Sequence, residues 1–524
     1  MAHASFVLKS FTQKIEQLLK RRFLALAFCF TAGSLASLSM APLNAWPILF
    51  VSIPALYFSI LYAGSNKGAF IRGWLFGFGY FLFSLSWIGN ALLVEGNPYK
   101  WAWPIAVSGL PALLAFFPAF TALFSKKFLN LRCLWGWLGF ISLYCGFEWL
   151  RGHVFTGFPW NLFGYTWADN LTILQTLWLS DAYMLTWLTL LWASMPACLL
   201  VFNKHHKIFS VGLAGALLVA CLLFGSLQLQ HEQAHHEDVN IRLVQPNIDQ
   251  AEKWQGDKMA GHFSKHLELS QNTEQTDTPT FIIWPETALS YRILNSAKAV
   301  EDIRSMLRSY NQSSTLLTGM LRFDKEDSSY TNSLIAIERN GNISNIYDKH
   351  HLVPFGEYMP FQKWIPLAPI VQFKGFTRGE GLKVMETTAG LKYSPLICYE
   401  IIFPGRSVPK HGSTDFIVNV TNDAWYGQSA GPYQHLTQAL FRAIETGVPV
   451  IRSANTGFSA VISPYGRVAG QTELFSTNAQ NHALPQKRNL PEGLKLFKHT
   501  FATLFLLVLI SAGILTQRQF SKPH

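Results

Sequence analysis

The sequence predicts two kinds of structure in one chain: a multi-pass bundle of membrane helices, followed by an α/β domain that stands in water. Three observations predict this. Of 524 residues, 49% are hydrophobic and only 14% are charged, whereas soluble domains carry about 25% charged residues. The charge deficit lies before about Leu227. Beyond that point, long apolar runs give way to short β-rich runs alternating with helical stretches.

The apolar runs lie near residues 23–40, 45–64, 73–93, 101–124, 133–150, 174–202 and 208–227, with an eighth at 499–515. Crossing ~30 Å of hydrocarbon takes about 20 apolar helical residues, a length most of these runs reach. Further spans follow the first run, so it is read as a span rather than a cleavable signal peptide. The expected organisation is a seven-span domain over 1–227, an outward domain over 228–495, and an eighth span with a tail over 496–524.

Orientation follows from the basic residues in the short loops. One set of loops and tails holds Lys9, Lys14, Lys20, Arg21, Arg22, Lys67, Arg72, Lys126, Lys127, Arg132, Lys204, Lys207, Arg518 and Lys522; the alternate loops hold only Lys100 and Arg151. That is 14 against 2. Both termini are therefore expected in the cytoplasm, with residues 228–495 on the outer face of a bacterial inner membrane. The net charge of +11 fits a membrane surface. No zinc-finger spacing, Walker loop or Arg-rich motif points to nucleic acid.

In the outward domain, strands are expected at Val239–Gln245, Thr280–Trp284, Thr315–Met320, Ser333–Glu338, Asn345–Lys349, Leu391–Cys398, Asp415–Val420 and Phe458–Ser463. Helices are expected near 252–272, 296–310 and 433–446, and Asn340-Gly341 reads as a hairpin turn.

Five of the six cysteines lie in or beside apolar runs, where cysteine usually serves as a small hydrophobe. Cys398 is the sixth, in the polar part, and is either an inert core residue or a nucleophile. Three segments end a β-like run with a reactive group: Glu286 after Phe281-Ile282-Ile283-Trp284-Pro285, Lys349 after Ile346-Tyr347-Asp348, and Cys398 after Pro395-Leu396-Ile397. A free thiol has a pKa of ~8.5, so little is thiolate near neutrality. A carboxylate can take its proton, and an ammonium can stabilise the oxyanion of a tetrahedral intermediate. Together the three groups suffice for acyl transfer through a thioester.

The segments WPET, DKHHLVPFGEYMP and LICYE resemble the signature segments of the nitrilase, or carbon–nitrogen hydrolase, superfamily. The form DKHHLVPFGEY, together with the membrane helices, resembles the apolipoprotein N-acyltransferases. So do Gly157-Phe158-Pro159-Trp160-Asn161, Asn422-Asp423-Ala424-Trp425 and Asn455-Thr456-Gly457-Phe458. The resemblance implies an αββα sandwich on a membrane bundle. It also implies transfer of an acyl chain from a phospholipid to the N-terminal amine of an S-diacylglyceryl-cysteine apolipoprotein, with no cofactor or metal and a monomeric chain. Carried over by motif, Cys398 is the nucleophile, Glu286 the base and Lys349 the oxyanion stabiliser. Glu357, Tyr399 and Glu400 support the site, and Trp254 sits on a substrate loop.

Duller explanations exist for individual residues. A buried Cys is common, and Glu286, Lys349 or Glu357 alone could be a solvated surface group. His231 and His235 have helical i, i+4 spacing that suits a metal, but a polar linker is the better reading. Glu148 and Arg151 either serve a function or pair at the membrane interface. The stretch Met359–Phe376 holds Phe361, Trp364, Ile365, Leu367 and Phe373 with few charges, and reads as a lid that dips into lipid, with Trp364 touching substrate. Two competing functions remain: a membrane-tethered amidase or nitrilase that uses water as acceptor, and a non-enzymatic membrane scaffold or transporter. The triad serves the amidase equally well, whereas the apolar loop and membrane helices favour lipid substrates.

Overall fold

The structure is a computed structural model that describes residues 2–231, 235–272, 278–326, 328–360, 375–409 and 413–488. The expected span at 499–515, Trp364 and most of the expected lid lie outside the described residues. The described chain divides into two compact units. The first comprises Met1–Gly89 and Ala102–Gln230, and the second Asn90–Trp101 and His231–Asn489.

The first unit is helical. Among the described residues, four stretches are long and apolar enough to cross a membrane: Arg22–Ser39, Lys100–Phe128, Ala182–Val201 and Lys204–Gln230. A fifth counts if the bent pair Asn66–Ser84 and Ser86–Leu93 is one span, and Trp46–Leu61 is a shorter apolar helix. Small residues let the backbones close up, which is how helices pack where no hydrophobic force drives them together. A Cβ added at Gly33 would lie 1.9 Å from the Phe76 carbonyl oxygen, so only glycine permits this approach.

Two cations in this unit differ from their expected loop positions. Arg72 lies inside the helix Asn66–Ser84 and is buried. Its guanidinium donates to the carbonyls of Ser59 (2.7 Å) and Leu19 (2.6 Å), satisfying groups near the ends of two other helices. Arg151 is also buried. It pairs with Glu148 and donates to the carbonyls of Phe158 (2.5 Å) and Trp160 (2.9 Å). The pair thus pins the Gly157–Asn161 loop.

Among the described residues, the second unit is built on twelve strands. β1 to β5 are His235–Gln245, Thr280–Ser290, Thr315–Asp324, Ser329–Glu338 and Ile343–Asp348. β6 to β9 are Met385–Glu386, Lys392–Ile397, Phe416–Thr421 and Val450–Ala454, and β10 to β12 are Ala460–Ile462, Val468–Ala469 and Asn478–Pro485. They form two six-stranded sheets, ordered β12-β1-β2-β3-β4-β5 and β11-β10-β9-β8-β7-β6. The sheets face each other, because alternate residues of each strand point to one side. Ile241, Leu243, Phe281 and Ile283 meet Phe416, Val418, Val420 and Ile451 in a common core. The rings of Phe281 and Phe416 stack there, 5.4 Å apart. The other face of the first sheet, with Ile282, Trp284, Leu316 and Ile335, packs against the helices Met259–Leu269 and Ala297–Arg308. The helix Ala430–Thr446 covers the second sheet. The result is an αββα sandwich.

His235 and His236 open β1, opposite Pro485 and Leu484. The helical spacing on which a metal reading of His231 and His235 depended is therefore absent.

Candidate active site

Three strands, β2, β5 and β7, bring reactive side chains to one buried cluster. β1 and β2 run parallel, as do β2 and β3, and β7 and β8. The ends of β2, β5 and β7 therefore open towards loops that meet above the sheets.

Glu286 lies within β2, past Pro285, where pairing to β3 breaks between Trp284 and Leu289. The break is a kink: Thr287 has φ 51°, a left-handed conformation that β-branched residues rarely adopt. Gly319 of β3 makes room for it, since a Cβ there would come within 2.5 Å of the Pro285 carbonyl and the Thr287 nitrogen. Lys349 follows the end of β5 and is 1% exposed. Its Nζ stands 2.8 Å from Glu357 Oε1 and 3.4 Å from Glu286 Oε1. One ammonium thus bridges two carboxylates. Asn332 of β4 joins them, donating to Glu286 Oε1 at 2.7 Å and to Glu357 Oε1 at 3.3 Å. The backbone N–H of Val353 donates to the other Glu357 oxygen at 2.9 Å.

Burial opposes the charge on Lys349, but Glu357 and Glu286 outweigh it and hold the ammonium above its ordinary pKa. Burial pushes Glu357 up, and Glu286 adds to this while Lys349 pulls it down. At neutral pH the lysine remains a cation.

Cys398 begins the short turn Cys398–Ile402 that ends β7. Its φ is 50°, so the strand breaks sharply at the thiol itself. Strain of this kind costs of order 1–3 kcal/mol and persists only where surroundings enforce it. Here His435 Nε2 lies 3.2 Å from the Cys398 carbonyl. Behind His435, Asp423 accepts from Arg452 (2.7 Å) and Thr421 (2.9 Å), and its Oδ1 lies 2.9 Å from His435 Nδ1. Burial pushes the Cys398 thiol up to about 12, with Glu286 raising it further and Lys349 only partly offsetting this. The resting sulfur is therefore a thiol.

Glu400 ties together the segment after Lys349 and the strand end before Cys398. Its Oε1 accepts from the N–H groups of His350 (2.9 Å) and His351 (3.0 Å), just after Lys349. Its Oε2 accepts from the N–H of Ile397 (2.8 Å), just before Cys398, and Tyr347 donates its hydroxyl to both oxygens at 3.0 Å. The Tyr399 ring packs beside Phe403 and His351. Trp254 is half-buried and lines a cavity with Pro285, Thr287 and Asn455, on both sides of the Glu286 kink.

Sequence reasoning missed Asn332, the Asp423–His435–Arg452 network and Lys253, whose ammonium donates to the Glu286 carbonyl at 2.9 Å. Asp423 lay in the segment Asn422-Asp423-Ala424-Trp425 already quoted for its resemblance; for Asn332, His435, Arg452 and Lys253 the only signal was polarity at positions that turn out to be buried.

A carbon–nitrogen hydrolase family model matches residues 240–487, and a model of the apolipoprotein N-acyltransferase N-terminal domain matches residues 32–195. The apolipoprotein N-acyltransferase of Brucella suis biovar 1 (strain 1330) is 36% identical over 533 residues, covering 95% of this chain and 97% of the relative. That of Rhodopseudomonas palustris (strain ATCC BAA-98 / CGA009) is 37% identical over 481 residues, covering 87% and 88%. Among solved structures, a CN-hydrolase superfamily protein from Xanthomonas campestris is similar with a TM-score of 0.35 and 19% identity, over 52% of this chain and 97% of that one.

Proposed function

This chain belongs to the apolipoprotein N-acyltransferase family, and on that premise we propose that it moves an acyl chain from a phospholipid to the N-terminal amine of an S-diacylglyceryl-cysteine apolipoprotein through a thioester on Cys398. The observation that carries the reading is the buried Glu286–Lys349–Glu357 cluster, two of whose members act electrostatically on the Cys398 thiol.

The steps follow from the charges. A thiol held at about 12 does not ionise beforehand, so Glu286 takes its proton as sulfur attacks the ester carbonyl carbon. The new oxyanion is met by the Lys349 ammonium, a kind of contact worth about 3–4 kcal/mol. Collapse breaks the ester C–O bond, Glu286 returns the proton to the departing lysophospholipid oxygen, and a thioester remains. The acceptor amine then attacks the thioester carbon and gives a proton to Glu286. The C–S bond breaks, and that proton returns to sulfur. One nucleophile serving donor and acceptor in turn gives ping-pong kinetics.

The same reading places the second unit on the outer face of the bacterial inner membrane and both termini in the cytoplasm, with seven spans before the catalytic domain and one after it. The one-sided distribution of Lys and Arg in the short loops supports it. The proposed active form is a monomer.

The test is to incubate the purified full-length protein with labelled phospholipid and measure its intact mass. An acyl group on Cys398, moved to a diacylglyceryl peptide on addition, is the expected result. Release of free fatty acid with no transfer to the peptide would mark a hydrolase instead. Absence of any adduct on Cys398 would overturn the mechanism.

A further inference from the structure

Lys253 occupies a place in the site that the mechanism above does not use. It lies in the segment after β1, and that segment is fastened at several points. The Asn247 nitrogen donates to the Asn455 carbonyl (3.0 Å), and the Ile248 nitrogen to Asn455 Oδ1 (2.9 Å). Asn422 Nδ2 donates to Gln250 Oε1 (2.6 Å). So held, the segment sends the Lys253 side chain inward, where the residue is 7% exposed.

An ammonium buried without a counter-ion is costly. Lys349 meets that cost with two carboxylates, whereas among the described residues Lys253 forms no ion pair. Its acceptor is the main-chain carbonyl of Glu286, at 2.9 Å. That carbonyl belongs to the peptide that enters the left-handed residue Thr287, the strained point of the kink. Gly319 of β3 lies against the same peptide and leaves it room, since a Cβ there would meet it. A charge-assisted hydrogen bond is about twice as strong as a neutral one, and this one acts where the backbone most needs holding.

We propose that Lys253 is a positioning residue for acyl transfer: its charged ammonium, anchored on the Glu286 carbonyl, holds the kinked Glu286–Thr287 peptide so that the Glu286 carboxylate faces Asn332, Lys349 and the thiol. The inference rests on the reading that Cys398 is acylated with Glu286 as base.

The charge on Lys253 then sets a limit on activity. The titratable groups that face it are Glu286 of β2, Cys398 after β7, and His262 and His266 of the helix Met259–Leu269. Glu252 and Lys258 of its own segment pair with each other. Burial lowers Lys253 to about 8, while Glu286 and Cys398 resist the fall. Burial also lowers His262 and His266, so both are already neutral where Lys253 titrates. Lys349 keeps its proton throughout that range. Rising pH therefore removes the Lys253 charge before the Lys349 ammonium or the Cys398 thiol titrates. Acylation is fastest with Lys253 protonated and falls as pH passes about 8.

The experiment measures acylation of Cys398 by a fluorescent phosphatidylethanolamine in detergent micelles, from about pH 6 to about pH 10, on full-length wild type, Lys253→Arg and Lys253→Met. The wild type should show a basic limb near 8. Lys253→Met should lose about tenfold or more at neutral pH. Lys253→Arg, which keeps its charge, should stay within about threefold of wild type at neutral pH and move the limb up by more than about one unit. A merely structural lysine would lower the rate at every pH without moving the limb. An unmoved limb in Lys253→Arg, or wild-type acylation by Lys253→Met at neutral pH, would overturn the proposal. If the Met variant does not fold, the Arg variant decides alone. Absence of any acyl group on wild-type Cys398 would refute the underlying reading first, and this one with it.

Discussion

Removing the Glu400 carboxylate should damage the fold and the chemistry together. The side chain is 1% exposed and accepts from the N–H groups of His350, His351 and Ile397 and from the Tyr347 hydroxyl. Glu400→Ala leaves the three N–H groups without this acceptor, while the Tyr347 hydroxyl keeps His350 Nδ1 at 2.9 Å. Each such loss costs about 1–3 kcal/mol, and water entering the vacated space recovers part of it, so about 3–6 kcal/mol is expected. Single domains have only about 5–15 kcal/mol to lose. At about 2–4 °C per kcal/mol, the melting temperature of the detergent-solubilised protein should fall by about 6–24 °C. Glu400→Gln keeps one oxygen acceptor and should lose less than half as much. Burial alone would raise Glu400, but His350 and the Ile397 N–H outweigh it and hold the carboxylate below its ordinary value of 4.5. Its contribution is therefore complete above that value and disappears as pH falls through the lower native one. Acylation measured well below the melting temperature should also fall, because this carboxylate ties the segment after Lys349 to the strand end before Cys398. A Glu400→Ala protein that melts within about 2 °C of wild type and acylates within about twofold would refute the reasoning.

Other outcomes follow from the same geometry. Cys398→Ala should form no acyl-enzyme by intact mass, since the nucleophile itself is gone. Alkylation of resting Cys398 by iodoacetamide should speed up about tenfold per pH unit above neutrality, with no plateau before about 12; a plateau near neutrality would mean a pre-formed thiolate. Glu357→Gln should leave Lys349 with Glu286 as its remaining carboxylate and slow acylation by about tenfold to a hundredfold, seen in kcat more than in KM. Arg452→Met leaves Asp423 buried without its cation, a change that typically costs about 3–5 kcal/mol, and should lower the melting temperature accordingly.

Eight strands of the second unit were legible, and in all but β5 the apolar residues are buried on a sheet face, which is what periodicity reports; in β5 Ile343 and Ile346 are exposed and Tyr347 alone is buried. Four were not. β12, with the sequence Asn-Ala-Gln-Asn-His-Ala-Leu-Pro, is an edge strand, half-buried over most of its length, and has no apolar alternation to read. β9 carries Arg452 in its middle, where charge argues against a core strand; its partners Asn419 and Asp423 come from elsewhere in the chain. β6 and β11 are two residues each. Pro285 suggested that β2 stops at Trp284, but the strand continues past it because its ladder is already broken there. In the site, Glu286, Lys349 and Cys398 announce themselves by reactive chemistry at strand ends. Asn332 and Lys253 do not, because an amide or an ammonium in a sequence reads as surface until a structure buries it. Arg72 is the same case in the first unit: a cation beside an apolar run looks like a loop residue, yet the carbonyls of Leu19 and Ser59 give it an interior place.

Under the proposed mechanism, the charges around the thiol let a cysteine this hard to ionise act as a nucleophile. Two ammonium groups, Lys349 and Lys253, stand among two carboxylates, Glu286 and Glu357, with all four residues buried. With the thiol neutral, those charges balance. Losing the thiol proton to solvent would leave one uncompensated negative charge in a low-dielectric interior, and burial raises the thiol to about 12 for that reason. Passing the proton to Glu286 creates no new charge. It moves a negative charge from carboxylate to sulfur, and then to the oxyanion as the carbonyl is attacked. The Lys349 ammonium is in place before the step begins, so little reorganisation is needed when the charge arrives. The same balance depends on Lys253 keeping its proton, and it is the weaker base of the two lysines, because two carboxylates hold Lys349 and none pairs with Lys253 among the described residues. On the proposed reading, the first charge lost as pH rises is the one that steadies the base, and acylation should fall there before either Lys349 or the thiol has titrated.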